Sequence, residues 1–264
     1  MEKRFLFCLL LCIGTARAAF EIHQASPIII AGGGTVSVFP DGSNPASLVE
    51  KKGLSTCCNF SNLYGIKNLQ TWDIGLFYNH HSKTGLALRL NTLGNLVYQE
   101  KTIGFSLARK ISSLISLGAT VNYYDLTISN YPRTGAIGLN CGLKLFPDST
   151  LGFAILFENL NAPKICDRQE PLPQVFAFGW QWKPIRRGEL SGEIFKDTRF
   201  PFTWRSGIRF EVFRGCNLLA GVQFNPDRLS GGLEFAWYKF QIAVAFLHHP
   251  TLPYTVYYQC GLNF

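Results

Sequence analysis

Residues 253–264 read PYTVYYQCGLNF, and counting back by twos from the terminal aromatic gives Phe264, Leu262, Cys260, Tyr258, Val256 and Tyr254, an unbroken apolar row. The other parity holds Asn263, Gly261, Gln259, Tyr257 and Thr255. Side chains on a strand alternate between faces, so this is one strand with an apolar and a more polar face, running to the last residue. A soluble domain seldom ends this way. A transmembrane barrel does, because its last strand must close against its first so that no backbone edge meets lipid.

The other end of the chain points to export. Lys3 and Arg4 precede the run FLFCLLLCIGT, and Ala16-Arg17-Ala18 is a small-x-small cleavage pattern, so residues 1–18 are expected to be a removed signal peptide. The leader holds three of the 25 Lys and Arg and one of the 17 Asp and Glu, so the remainder has a formal charge of +6. That mild excess is dispersed. It suits anionic headgroups, but no basic cluster interleaves with aromatics, which argues against nucleic acid as a partner. Phe occurs 22 times, charged residues make up 16%, and past the leader no apolar run approaches the ~18 residues of a membrane helix.

Alternation recurs along the rest of the chain. Segments near 54–60, 71–79, 85–91, 101–110, 114–125, 134–146, 150–159, 174–183, 189–196, 203–213, 217–225, 229–237, 240–248 and 253–264 read as strands. The expected fold is therefore all-β, a closed antiparallel transmembrane barrel of about 14 strands over residues 54–264, the last strand pairing with the first. Short turns at 111–113, 147–149, 214–216 and 238–239 are assigned to the periplasm. Longer loops at 61–70, 92–100 and 160–173 are assigned to the outside. Trp72 and Trp204 fall at the starts of their segments and Trp180, Trp182 and Trp237 near the ends, as an interfacial girdle requires.

Residues 19–53 break the pattern. They hold the triple glycine Gly32-Gly33-Gly34, two proline turns, and a helical prospect from Pro45 capped by Asn44 and ended by Gly53. Too apolar for a free tail, this stretch is expected inside the lumen as a plug.

Gly32-Gly33-Gly34-Thr35-Val36-Ser37-Val38, followed by Asp41-Gly42-Ser43-Asn44-Pro45-Ala46-Ser47-Leu48, resembles the glycine-rich stretch and Asn-Pro-Ala turn of FadL-like outer-membrane barrels, with the PorV/PorQ-type branch the closer likeness. The resemblance implies a fourteen-stranded barrel with an N-terminal hatch anchored by Asn44, Pro45 and Ala46. It also implies uptake of hydrophobic or amphipathic, fatty-acid-like molecules, with exit sideways or to the periplasm. The alternative it implies is a non-transporting scaffold that binds secreted or envelope proteins through its external loops. The row from Tyr254 to Phe264 likewise resembles the signal read by the barrel-assembly machinery.

Catalytic constellations are scarce, and no enzyme activity, cofactor or metal site is expected. His80-His81 and His248-His249 are adjacent pairs whose side chains point apart on a strand. Ser230 and His248 sit on neighbouring strands, the nearest approach to a hydrolytic pair. The inward charges Arg89, Lys144, Glu158, Glu189, Glu193, Arg205, Arg209, Glu211 and Glu234 read as a network bracing the wall and holding the plug, or as a selectivity ring. Six cysteines lie beyond the leader, Cys57, Cys58, Cys141, Cys166, Cys216 and Cys260. An oxidising compartment allows disulfides, but parity alone selects no framework.

Deleting Phe264 is expected to impair assembly, scored as loss of the heat-modifiable folded band from outer-membrane fractions. Normal insertion without it would count against the reading of the terminal strand.

Overall fold

The computed structural model describes residues 19–20, 26–41, 43–51, 53–166 and 170–264, so the expected signal peptide lies outside the described residues. The strands are β1 (Gly53–Asn62), β2 (Gln70–His80), β3 (Thr84–Gly94), β4 (Tyr98–Lys110), β5 (Ile115–Ile128), β6 (Thr134–Leu145), β7 (Leu151–Glu158), the short pair β8 (Lys164–Ile165) and β9 (Glu170–Pro171), then β10 (Val175–Ile185), β11 (Gly188–Asp197), β12 (Thr203–Phe213), β13 (Cys216–Phe224), β14 (Arg228–Trp237), β15 (Phe240–His248) and β16 (Thr255–Asn263). Among the described residues all but β8 and β9 form one closed antiparallel barrel of 14 strands. Every neighbour in the wall is the next barrel strand in the chain except at the seam, where β1 pairs with β16 from Ser55↔Asn263 to Asn62↔Val256. The Phe264 N–H adds a bond to the Leu54 carbonyl at 2.8 Å.

Alternation sets the two faces. Along β2, Trp72, Ile74, Leu76 and Tyr78 are exposed on the outside, while Thr71, Asp73, Phe77 and Asn79 are buried inside. The terminal strand obeys the same rule: Tyr254, Tyr258 and Phe264 are exposed, and Thr255, Tyr257 and Gln259 are buried in the lumen. Turns of two to five residues join strands at the end where Gly53 and Phe264 lie, and connections of three to 16 residues join them at the other end, the longest being residues 159–174.

Two expectations need correction. The 92–100 stretch is mostly strand, its loop only residues 95–97, because β3 and β4 stay paired to Gly94↔Gln99. Trp180 lies mid-strand, since β10 runs on to Ile185. In the long outer loop, Ile165 and Leu172 are buried against Tyr124, Leu126 and Phe20.

Residues 26–41 and 43–51 lie inside the lumen along the wall. The helix α1 (Pro27–Ala31) packs on β13–β16, and the 3₁₀ turn Pro45–Glu50 on β2–β6. What admits a second layer of backbone here is a row of glycines on the inner face, Gly85, Gly118, Gly142, Gly179, Gly207 and Gly221, each on a different strand. A Cβ at Gly142 would collide with the Asn44 side chain, and one at Gly207 with the Gly32 carbonyl. Asn44 caps the 3₁₀ turn as expected, its side chain accepting from the Ala46 N–H at 3.0 Å.

Gly142→Val should therefore dislodge Asn44 and loosen this segment, at a cost on the order of 1–3 kcal/mol for overpacking. Limited trypsinolysis is expected to cut the folded variant at Lys51 while the parent resists.

Candidate functional site

A set of polar side chains on the inner wall serves the backbone of the N-terminal segment. Lys144, fully buried, donates from Nζ to the Val38 carbonyl at 2.6 Å and to Glu50 at 2.5 Å. Glu193 accepts from the Ser37 N–H at 2.7 Å and the Ser37 hydroxyl at 2.6 Å. Arg205 donates to the Gly34 carbonyl at 2.8 Å and to Glu193 at 3.2 Å, its guanidinium lying 3.6 Å over the Phe195 ring. Asn44 reaches the carbonyls of Ser37 at 2.8 Å and Ile155 at 3.2 Å. Ser116 donates to Ala46, and Asn79 to Leu48 and Lys51. Burying a peptide group without a partner costs a few kcal/mol, so each contact removes a penalty that the segment would otherwise carry.

The other expected charges divide differently. Arg209 is the register partner of Glu189, yet it binds Glu234 at 2.6 Å, which also accepts from Asn217 and Gln241. Glu189 instead sits 3.6 Å from Lys183. Glu211 accepts from the Gly215 N–H at the adjoining turn. Arg89 pairs with Asp73 through two bonds, of 2.8 and 2.5 Å, and Glu158 faces a separate polar cavity. The nine residues thus form several local groups rather than one ring. Within them, Asp73 was missed by the sequence reading. Its position directly across from Asn59, in a strand otherwise apolar on the opposite parity, was the available signal.

Two cavities flank the segment. The polar one, about 100 Å³, is lined by Asn91, Thr102, Ser106, Thr120, Asn122 and Asn140 with Arg89, Glu100 and Glu158. Beside it Asn159 is buried, accepts from Tyr124 Oη at 2.9 Å, and donates from Nδ2 to the Pro173 carbonyl at 2.7 Å.

The second cavity, about 560 Å³, opens at the long-loop end on the β11–β16 side. Ile30 of α1 contributes to it from below, with Leu63, Tyr64, Phe195, Phe200, Leu247 and Tyr257 around it. This wall is interrupted by Asp197, Arg205, Arg228 and His249 and by the uncharged polar side chains of Thr203, Gln223 and Asn225. Arg205 is engaged, as above. The Arg228 Nε is buried with no hydrogen-bond partner among the described residues. A cavity of this size, mostly apolar with a few convergent polar groups, has the composition of a small-molecule site.

His249 supports that wall from the loop after β15. Its ring meets the Tyr64 ring edge-on at 4.8 Å, and Nε2 lies 3.3 Å from the Thr255 hydroxyl, which accepts from the Tyr64 N–H. Burial, then the neighbouring charges of Arg228 and His248, push its pKa down to about 4. His248 faces outward and Ser230 inward, so the pair considered for hydrolysis does not meet. No cluster of three or more metal-ligating side chains occurs among the described residues.

No family model matches the chain, and no curated protein matches it in sequence. Its fold is shared with solved structures. The toluene transporter TodX of Pseudomonas putida superposes with a TM-score of 0.67 at 11% identity, over 90% of this chain and 98% of that one. A FadL homologue of Pseudomonas aeruginosa gives 0.65 at 11% identity, over 94% and 100%. The monoaromatic hydrocarbon channel CymD gives 0.61 at 14% identity, over 93% and 99%. The barrel is FadL-like in fold.

An exposed histidine protonates near 6.5 and His249 only near 4, so the unfolded chain binds the proton first and stability falls as pH drops through that window. Thermal unfolding in detergent from pH 7 to 4 is expected to show a smaller decline in His249→Phe than in the parent.

Proposed function

We propose that the chain is an outer-membrane barrel, exported by a cleaved signal peptide, that binds hydrophobic and amphipathic molecules in the 560 Å³ cavity at its outer mouth and passes them inward. The single observation that carries this reading is the cavity's make-up: an apolar wall closed below by Ile30 of the N-terminal segment, with the unpartnered Nε of Arg228 at its side. The fold shared with a toluene transporter and a monoaromatic hydrocarbon channel supports it. The outward apolar face suits membrane lipid as the solvent, and the end with longer loops is taken as external. On this reading Arg228 receives the polar head of an amphipathic ligand, α1 acts as a hatch that must move for passage, and no step is enzymatic.

The wall bears on the route of exit. Register is continuous from β1 to β5 on one side of the seam and from β13 to β16 on the other, with shifts beside the short turns, between Trp182 and Ile185 and between Glu211 and Phe213. β6 and β7 pair only from Leu145↔Phe153 to Cys141↔Phe157, so the stretch of wall a sideways exit would use lies above that pairing, and passage toward the periplasm is the other route.

The tethering of residues 34–51 favours a second reading. A segment held by Lys144, Glu193, Arg205, Asn44, Ser116 and Asn79 suits a permanent filling, as in a PorV-type scaffold for a secreted or envelope protein.

Native mass spectrometry of the purified protein separates the two. A fatty-acid-like ligand that is retained by the parent and weakened about tenfold or more in Arg228→Ala supports uptake, and a stoichiometric protein partner with an empty cavity supports the scaffold. Deleting residues 32–52 is expected to raise conductance in planar bilayers; unchanged conductance would remove the hatch.

A further inference from the structure

The seam holds a thiol pair. Cys58 of β1 and Cys260 of β16 are register partners, and both side chains lie on the outward parity. Cys57 points the other way, into the lumen, where its Sγ is 3.9 Å from Asn59 Nδ2. No other cysteine among the described residues has a cysteine opposite it: Cys141 faces Ala119 and Phe157, and Cys216 faces Phe213 and Phe235.

The type of pairing follows from the chain end. The Phe264 N–H donates to the Leu54 carbonyl, which makes 54 and 264 a hydrogen-bonded pair. Hydrogen-bonded and open pairs alternate in an antiparallel ladder, so in the same register 56/262 and 58/260 are also hydrogen-bonded pairs. Their Cα atoms then lie about 5.5 Å apart, within the ~4.4–6.8 Å span of a disulfide. Directly opposed Cβ atoms, at ~4.5–5.5 Å, stand slightly wider than a disulfide prefers, so the bond draws the strands together and stays reducible.

We propose that Cys58 and Cys260 are a modification site: a reversible disulfide that staples the first strand of the barrel to the last. The thiols are free in this structure. A disulfide-bearing oxidant closes the bond in two exchanges. One cysteine thiolate attacks the oxidant's S–S bond and expels a thiolate. The second cysteine thiolate then attacks that mixed disulfide and expels the other. The two cysteines lose two protons and two electrons, and the oxidant leaves as two thiols. The staple acts where it has most effect, because β1–β16 is the one junction among the described wall strands that does not join a barrel strand to the next barrel strand in the chain. It converts residues 58 to 260 into a closed covalent loop, which restricts the unfolded chain.

The test uses the full-length barrel in detergent, oxidised with the lipid-soluble reagent dipyridyl disulfide and digested without reductant. A peptide linking 58 to 260 is expected in the parent and in Cys57→Ser, and a loss of at least tenfold in Cys58→Ser and Cys260→Ser, with all variants shown to be folded by their unboiled gel mobility. The boiled, oxidised parent should also migrate faster than its reduced form. Mixed disulfides with the reagent alone, or a linkage that requires Cys57, would overturn the assignment.

Discussion

Everything in this molecule turns on the fit between two layers of backbone, the wall of the barrel and the segment that lies along its inner face. Fourteen strands enclose more volume than their own inward side chains fill, and the space is taken by residues 26–41 and 43–51. Close approach requires that the wall present no side chain where the segment passes, which is why glycine recurs on the inner face of six strands. It also requires partners for the segment's peptide groups. Charged and amide side chains from the wall supply them, so Lys144, Glu193 and Arg205 act as ligands for a buried chain, while the remaining lumenal charges pair within the wall or face the polar cavity.

That arrangement divides the lumen by chemistry. On the β3–β7 side the inner face is amide, hydroxyl and carboxylate, and the space is small and polar. On the β11–β16 side the same alternation places Phe195, Leu247 and Tyr257 inward, and the space is larger and mostly apolar. The glycine-rich stretch and α1 lie beneath the second space. A rigid filling and a binding cavity thus share one architecture, the tethered half of the segment serving the first and α1 serving the second.

Much of this was legible in the sequence. Period-two alternation is a strong signal when one face meets an apolar solvent, and all fourteen wall strands were read from it, as was the closure of the terminal row on the first strand. Strand ends were less legible, because β3, β4 and β10 extend past the apolar solvent into stretches whose residues no longer alternate. The inward charges were identified by parity, but their partners were not. Arg209 chooses Glu234 over its register neighbour Glu189, and that choice depends on inclination across the curved wall, which no spacing encodes. The apolar cavity was illegible for a related reason: its residues come from α1, six strands and four loops. Arg228 and His249 stand out only once Tyr64 and Ile30 are beside them.

The rim beside β7 carries a last consequence. Pairing between β6 and β7 stops at Cys141↔Phe157, so the outer stretch of β6 would present an open strand edge. There the Asn161 side chain accepts from the Leu139 N–H at 2.9 Å and donates to the Ile137 carbonyl at 2.8 Å, occupying the donor and acceptor that a neighbouring peptide would use. An uncovered edge is a template for another chain to add a strand. With the Leu160 N–H, which donates to the Leu139 carbonyl at 2.8 Å, this amide closes that template, and the barrel offers a second copy no strand edge there.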